Sequence, residues 1–198
     1  MRSQRLHPSR LCCALLFAGL ASLCGHASAQ ANLVANGGFE TGSFASWSEV
    51  GNSALNGVQC PGAALVPQGI CGAYFGPIGA LGGIQQAIAT TPGLAYTISF
   101  EYSGDGGSPG QVLVEFGGQA LLNRTDAAAA TVGFQTFSFQ ALAAGSSTLL
   151  SFNFRNDLGF MELDNVAVTA VPEPTTYALM LAGIGTLLGA RGFARHRS

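Results

Sequence analysis

Between Asn32 and Ala170 apolar and polar residues alternate with period two rather than 3.6. "YTISFEY" places Tyr96, Ile98, Phe100 and Tyr102 on one face and Thr97, Ser99 and Glu101 on the other. By the same alternation Val112, Val114 and Phe116 of "VLVEF" point inward, as do Leu150, Phe152 and Phe154 of "LLSFNF". Successive side chains of a strand face opposite sides, so each run predicts a half-buried β-strand. Such strands need a second sheet to cover their apolar faces.

Turn-forming residues punctuate these runs: "NG" at Asn56, "TPG" at Thr91, "GDGGSPG" from Gly104, "AAGSS" from Ala144 and "RNDLGF" from Arg155. Short strands separated by Gly-rich turns predict an all-β, antiparallel β-sandwich. "DAAAATVG" from Asp126 reads as a loop, since its four alanines precede two turn-prone residues. The least regular stretch runs from Cys60 to Gly83, and long loops of this kind are usually functional or disordered. Within it Tyr74 and Phe75 are candidate ligand contacts; the competing reading has them plug the end of the sandwich core.

The two ends follow other patterns. Residues 1–29 carry Arg2, Arg5 and Arg10 ahead of an apolar run from Leu11 to Leu23, then small residues at Ala27, Ser28 and Ala29. That is the layout of a secretory signal peptide cut after Ala29. Residues 171–198 begin "VPEP", continue through an uncharged stretch from Tyr177 to Ala190, and end in an arginine cluster over residues 191–198. Residues 30–170 are left as the sandwich domain.

Setting the ends aside changes the charge and the available chemistry. From Gln30 to Val171 only Arg124 and Arg155 are basic, against nine carboxylates, so the exported part is acidic. Nucleic-acid binding needs clustered cations to neutralise phosphates, and none occur here. His7, His26 and His196 all lie in the end segments, and the chain has no lysine. That argues against histidine triads, His-ligated zinc and lysine Schiff bases, and the domain is expected to be non-enzymatic and to require no cofactor. Of the cysteines, only Cys60 and Cys71 lie outside the leader. An even pair in an exported chain reads as a disulfide rather than a reactive or metal-bound thiol pair. Closing a loop of about 12 residues contributes roughly 3 kcal/mol in the chain-entropy description.

Two resemblances add to this. "NLVANGGFETGSFASW", "IQQAIATTPGLAYTISFEYSG" and "RNDLGFMELDNVAVTA" resemble the opening, middle and closing strands of galactose-binding-like jelly-roll sandwiches, which include many carbohydrate-binding modules. The resemblance implies a structural calcium tying first strand to last, with Glu40 of "GGFETG" and Asp164 of "LDNV" as its carboxylates. Calcium takes six to eight oxygens, so backbone carbonyls near Gly38, Thr41 and Ser43 would complete the shell. Leu163 and Val166 are both apolar yet three apart, which marks an irregularity beside Asp164. Either carboxylate is otherwise an ordinary solvated or hydrogen-bonded group. The resemblance also places Trp47 in the core, and leaves Tyr74, Phe75, Tyr102, Asn123 and Arg124 as exposed candidates for sugar contact.

The tail resembles the PEP-CTERM sorting signal of Gram-negative bacteria that make exopolysaccharide, also called an ice-binding-protein C-terminal domain, a label for the tail and not for antifreeze activity. The resemblance implies recognition of Pro172, Glu173 and Pro174 by a membrane-embedded exosortase and cleavage nearby. Fourteen residues from Tyr177 to Ala190 make about 21 Å of helix at ~1.5 Å per residue, short against a bilayer core of about 30 Å. Arg191, Arg195 and Arg197 would hold the end on the cytoplasmic side. The expected protein is thus exported, held transiently at the inner membrane, processed, and left at the cell surface or released in association with exopolysaccharide. A dedicated carbohydrate-binding module with a specific glycan site is the alternative.

Overall fold

The computed structural model describes residues 30–61, 67–131 and 133–171. Among the described residues ten strands form two antiparallel sheets. They are β1 (Ser48–Gly51), β2 (Asn56–Gln59), β3 (Gly72–Phe75), β4 (Gly82–Ala89), β5 (Ala95–Gly104), β6 (Gly110–Phe116), β7 (Gln119–Thr125), β8 (Gln135–Leu142), β9 (Ser147–Asn156) and β10 (Met161–Ala170). One sheet has the order β1-β4-β9-β6-β7, the other β2-β3-β10-β5-β8. The predicted sandwich is therefore present. The expected signal peptide, the Pro172–Pro174 motif, the 177–190 helix and Arg191, Arg195 and Arg197 lie outside the described residues.

The alternation fixes which faces meet. Tyr96, Ile98, Phe100 and Tyr102 of β5 are buried while the residues between them are half-buried, as in "YTISFEY". Val112, Val114 and Phe116 of β6 and Leu150, Phe152 and Phe154 of β9 cover them from the other sheet. Phe100 meets Phe152 edge-on at 5.1 Å, and Phe75 stacks on Phe154 at 4.3 Å, so aromatic pairs join the layers. Each such fully buried side chain contributes about 1.5–3 kcal/mol of transfer free energy.

Three local expectations change. Asn56 begins β2 and pairs with Phe75 instead of making a turn; the turn lies just before it, where the Asn56 amide donates to the Ser53 carbonyl. Asp126–Ala129 form one 3-10 turn where a loop was expected, and the Tyr102 hydroxyl clasps it by donating to the Ala129 carbonyl at 2.8 Å. The opening segment is not a regular strand. Asn36 and Phe39 have φ of 54° and 56°, which breaks any ladder. Separate hydrogen bonds hold it beside β10 instead: Leu33 N donates to Val168 O, and Val166 N to Gly37 O. Gln86 of β4 fastens the same segment to the other sheet, accepting from Ala35 N and donating to Ala35 O and Ser46 O. Trp47 is buried, its ring stacked on Phe39 and edge-on to Phe152.

Candidate functional site

β3 alternates like its neighbours, and this separates Tyr74 from Phe75. Phe75 is fully buried, so the surface-contact reading is wrong for it and the core-plug reading holds; adjacent strand residues cannot both face out. Tyr74 stands on the outer face, paired with Gly57 of β2 on one side and Glu162 of β10 on the other. Glu162 in turn pairs with Ser103 of β5, so Gly57, Tyr74, Glu162 and Ser103 form one row across four strands. A Cβ at Gly57 would meet the Tyr74 phenol where it now lies, so the ring would have to move aside. The Tyr74 ring consequently lies over bare backbone.

Phe160, which enters β10 from the preceding turn, meets Tyr74 edge-on at 5.6 Å and 81°. It remains 45% exposed, so its ring is available to a ligand. Tyr74, Phe160, Glu162 and Gln59 line a cavity of about 350 Å³. Burial raises the Glu162 pKa; a hydrogen bond with Ser103 opposes the shift and the Asp105 charge adds to it. The cavity thus offers aromatic faces, one amide and one partly desolvated carboxylate, which is the make-up of a small-molecule site.

Of the other candidates for sugar contact, Tyr102 is buried and does not reach the surface; its phenol pKa is raised, chiefly by burial. Asn123 is exposed on the edge strand β7, bonded to Gln111, and Arg124 lies over the Phe137 ring at 5.2 Å. Phe137 belongs to β8, the opposite edge of its sheet from β2, so these residues do not join the cavity. Sequence reasoning missed Gln59 and Phe160 as site residues, and named Glu162 only as half of a carboxylate pair with Asp157 that it set aside. An aromatic left outside the alternating pattern after a turn, followed by an acid between apolar neighbours, was the available signal. Asp157, which with Glu162 would make a formal carboxylate pair, is committed to a fork with Arg155 at 3.0 and 2.8 Å and accepts from Gly79 N. The Arg155 hydrogen bond and the Gly79 amide lower its pKa to about 2.

Glu40 and Asp164 converge at a second place, the junction of the opening segment, β3 and β10. A Cβ added to Gly38 would sit 3.8 Å from both Asp164 Oδ1 and Glu40 Cγ. The register of β10 shifts between Asp164 and Ala167, with Asn165 at φ 50°, so a bulge lies where the apolar spacing breaks. The bulge leaves Asp164 fully buried; its Oδ1 accepts from Asn165 N and its Oδ2 has no partner. Burial raises its pKa to about 6; the Asn165 amide hydrogen bond and the nearby Gln68 backbone amide oppose this, and the charges of Glu101 and Glu40 add to it. Glu40 Oε1 accepts from Ile70 N and Cys71 N. These amides sit at the base of the loop closed by the Cys60–Cys71 disulfide. The orphaned Asp164 oxygen and the Glu40 carboxylate are hard oxygen donors of the kind calcium takes, and they make up only part of the six to eight it needs. The Ser43 carbonyl is not free to join it, since it accepts from Asn36 Nδ2 and the Thr41 hydroxyl.

Comparison with known proteins bears on the tail and the fold. Residues 170–198 match the family described as the PEP-CTERM protein-sorting motif. A search of curated proteins returns no match. Among solved structures, TmCBM61 in complex with β-1,4-galactotriose is similar at 16% identity and TM-score 0.59, over 71% of this chain and 99% of that one. The CBM22-1 xylan-binding domain of Paenibacillus barcinonensis Xyn10C is similar at 18% identity and TM-score 0.52, over 74% and 99%. The arabinose-bound MgGH51 α-L-arabinofuranosidase aligns at 14% identity and TM-score 0.54, over 74% of this chain but 27% of the enzyme. The described domain has the two-sheet β-sandwich fold of these carbohydrate-binding modules.

Proposed function

We propose that the chain is an exported, non-catalytic envelope protein whose tail is processed by exosortase and whose sandwich associates with extracellular polysaccharide through the Tyr74 cavity. The row Gly57–Tyr74–Glu162, with Phe160 edge-on above it, carries the binding part of the proposal. The carbon-bound hydrogens of a sugar ring pack on an aromatic face, while Gln59 and Glu162 offer hydrogen bonds to its hydroxyls. The sugar ligands named for the similar modules support this reading, and residues 30–171 contain no histidine or lysine to supply a catalytic base.

Topology gives the cavity a direction. Glu162 lies near the start of β10 and Ala170 at its end, eight residues or about 26 Å on at ~3.3 Å per residue. The tail leaves from the far end, where Leu33 also pairs with Val168. A precursor held by its tail would present the cavity away from the membrane. In this reading Pro172, Glu173 and Pro174 are the sequence the exosortase recognises, and Arg191, Arg195 and Arg197 would mark the cytoplasmic end of the signal. A calcium ion held by Asp164 and Glu40 completes the proposal. It would lock the opening segment to β10.

Two experiments test these parts separately. Intact mass of the protein from exosortase-positive cells should show loss of the segment containing Arg191 to Ser198, and cells lacking exosortase should retain it. A mature species still carrying those residues in exosortase-positive cells contradicts the processing. For binding, the full chain in detergent should be retarded in gels containing a matching polysaccharide. Free migration through a broad panel would favour a bulk matrix protein without a glycan site.

A further inference from the structure

The cavity contains more than a sugar-stacking platform needs. Two aromatic rings at 81° to each other and a partly desolvated carboxylate share one small space. Aromatic faces attract cations, and a carboxylate removed from bulk water pairs strongly with an ammonium. Among the described residues no protein cation supplies that charge. The two arginines of residues 30–171 are engaged elsewhere, Arg155 by Asp157 and Arg124 over Phe137. The surroundings reinforce the sign, because Asp105 raises the Glu162 pKa and Glu101 stands on a neighbouring strand with its carboxylate on Asn165 Nδ2.

We propose that the Tyr74–Phe160–Glu162 cavity selects a glycan bearing a free amine, a hexosamine unit, whose ammonium sits against Glu162 while its ring packs on Tyr74. This rests on the glycan-binding reading and names the substrate class. Uncharged sugars would use the same platform without the ion pair. Uronate or sulfated sugars would meet a carboxylate in a domain with nine acidic against two basic residues, and be repelled.

Four oligosaccharides of equal length test it on the full chain in detergent, at low salt and about pH 6.5, where a sugar amine is largely protonated. They are a glucosamine oligomer, its N-acetylated form, the glucose counterpart and a uronate oligomer. The glucosamine oligomer should bind roughly tenfold or more tightly than its N-acetylated form, with the uronate weakest. Glu162→Gln, which keeps the shape, should erase that preference, so that the variant binds the glucosamine oligomer no more tightly than it binds the N-acetylated and glucose oligomers. Equal binding of the amine, acetylated and glucose oligomers, unaffected by Glu162→Gln, would overturn the charge selection and leave the glycan site standing. Failure of all four to bind would overturn both. Amine binding that persists undiminished in Glu162→Gln would place the ammonium elsewhere and overturn the assignment.

Discussion

Phe75→Ala should destabilise the domain by about 3–5 kcal/mol, enough to lower Tm by roughly 10–20 °C for a domain of this size. Phe75 is fully buried, stacks on Phe154 of the facing sheet at 4.3 Å and lies 5.7 Å from Phe44. Truncation removes the transfer free energy of the ring and leaves a cavity between layers that β3 cannot fill, since its ladders to β2 and β10 hold the backbone in place. The neighbouring Tyr74→Ala should cost only about 1 kcal/mol, because that ring is half-buried on an outer face. Thermal melts of the two variants read the alternation directly, and equal losses would contradict the assignment of faces.

Asp164 should make stability depend on both pH and calcium. Its pKa is raised from 3.8 to about 6 in the folded protein, so between those values the folded state binds more protons than the unfolded state. Calcium-free protein should therefore lose stability as pH rises through that window, and level off above it. Asp164→Asn removes the buried charge, so it should flatten this slope and raise the calcium-free Tm above about pH 6. Calcium favours the ionised carboxylate and should reverse the penalty. At a hundredfold excess over Kd it stabilises by about 2.7 kcal/mol, or roughly 10 °C here, and Asp164→Asn should lose that gain. Superimposable melts of wild type with calcium and with chelator at about pH 8, well above the folded pKa, would remove calcium from the account.

The strands were legible where a single physical rule governs them. In β5, β6 and β9 one face is core and the other is not, so alternation alone named Ile98, Val114 and Phe152 as inward. Even the bulge beside Asp164 left a trace, as the slipped spacing of Leu163 and Val166. Long-range pairing leaves no such trace. That Asn56 is a strand residue depends on Phe75 reaching it, and the opening segment depends on Gln86 and Val168, far off in sequence. The cavity was hidden for the same reason: Gln59, Tyr74 and Phe160 come from separate segments that meet only when β2, β3 and β10 align. Tyr74 could be named beforehand, but not told apart from Phe75, because nothing local in a Gly-rich stretch shows where the strand begins.

The most direct measurement compares the dissociation constant of Tyr74→Ala with that of the wild type on a polysaccharide the protein retains, with Tm recorded on the same samples. The account predicts binding weakened at least tenfold, a loss of about 1.4 kcal/mol or more, while Tm falls by only a few degrees. Unchanged affinity in a folded Tyr74→Ala protein would contradict it and place the glycan on another surface of the sandwich.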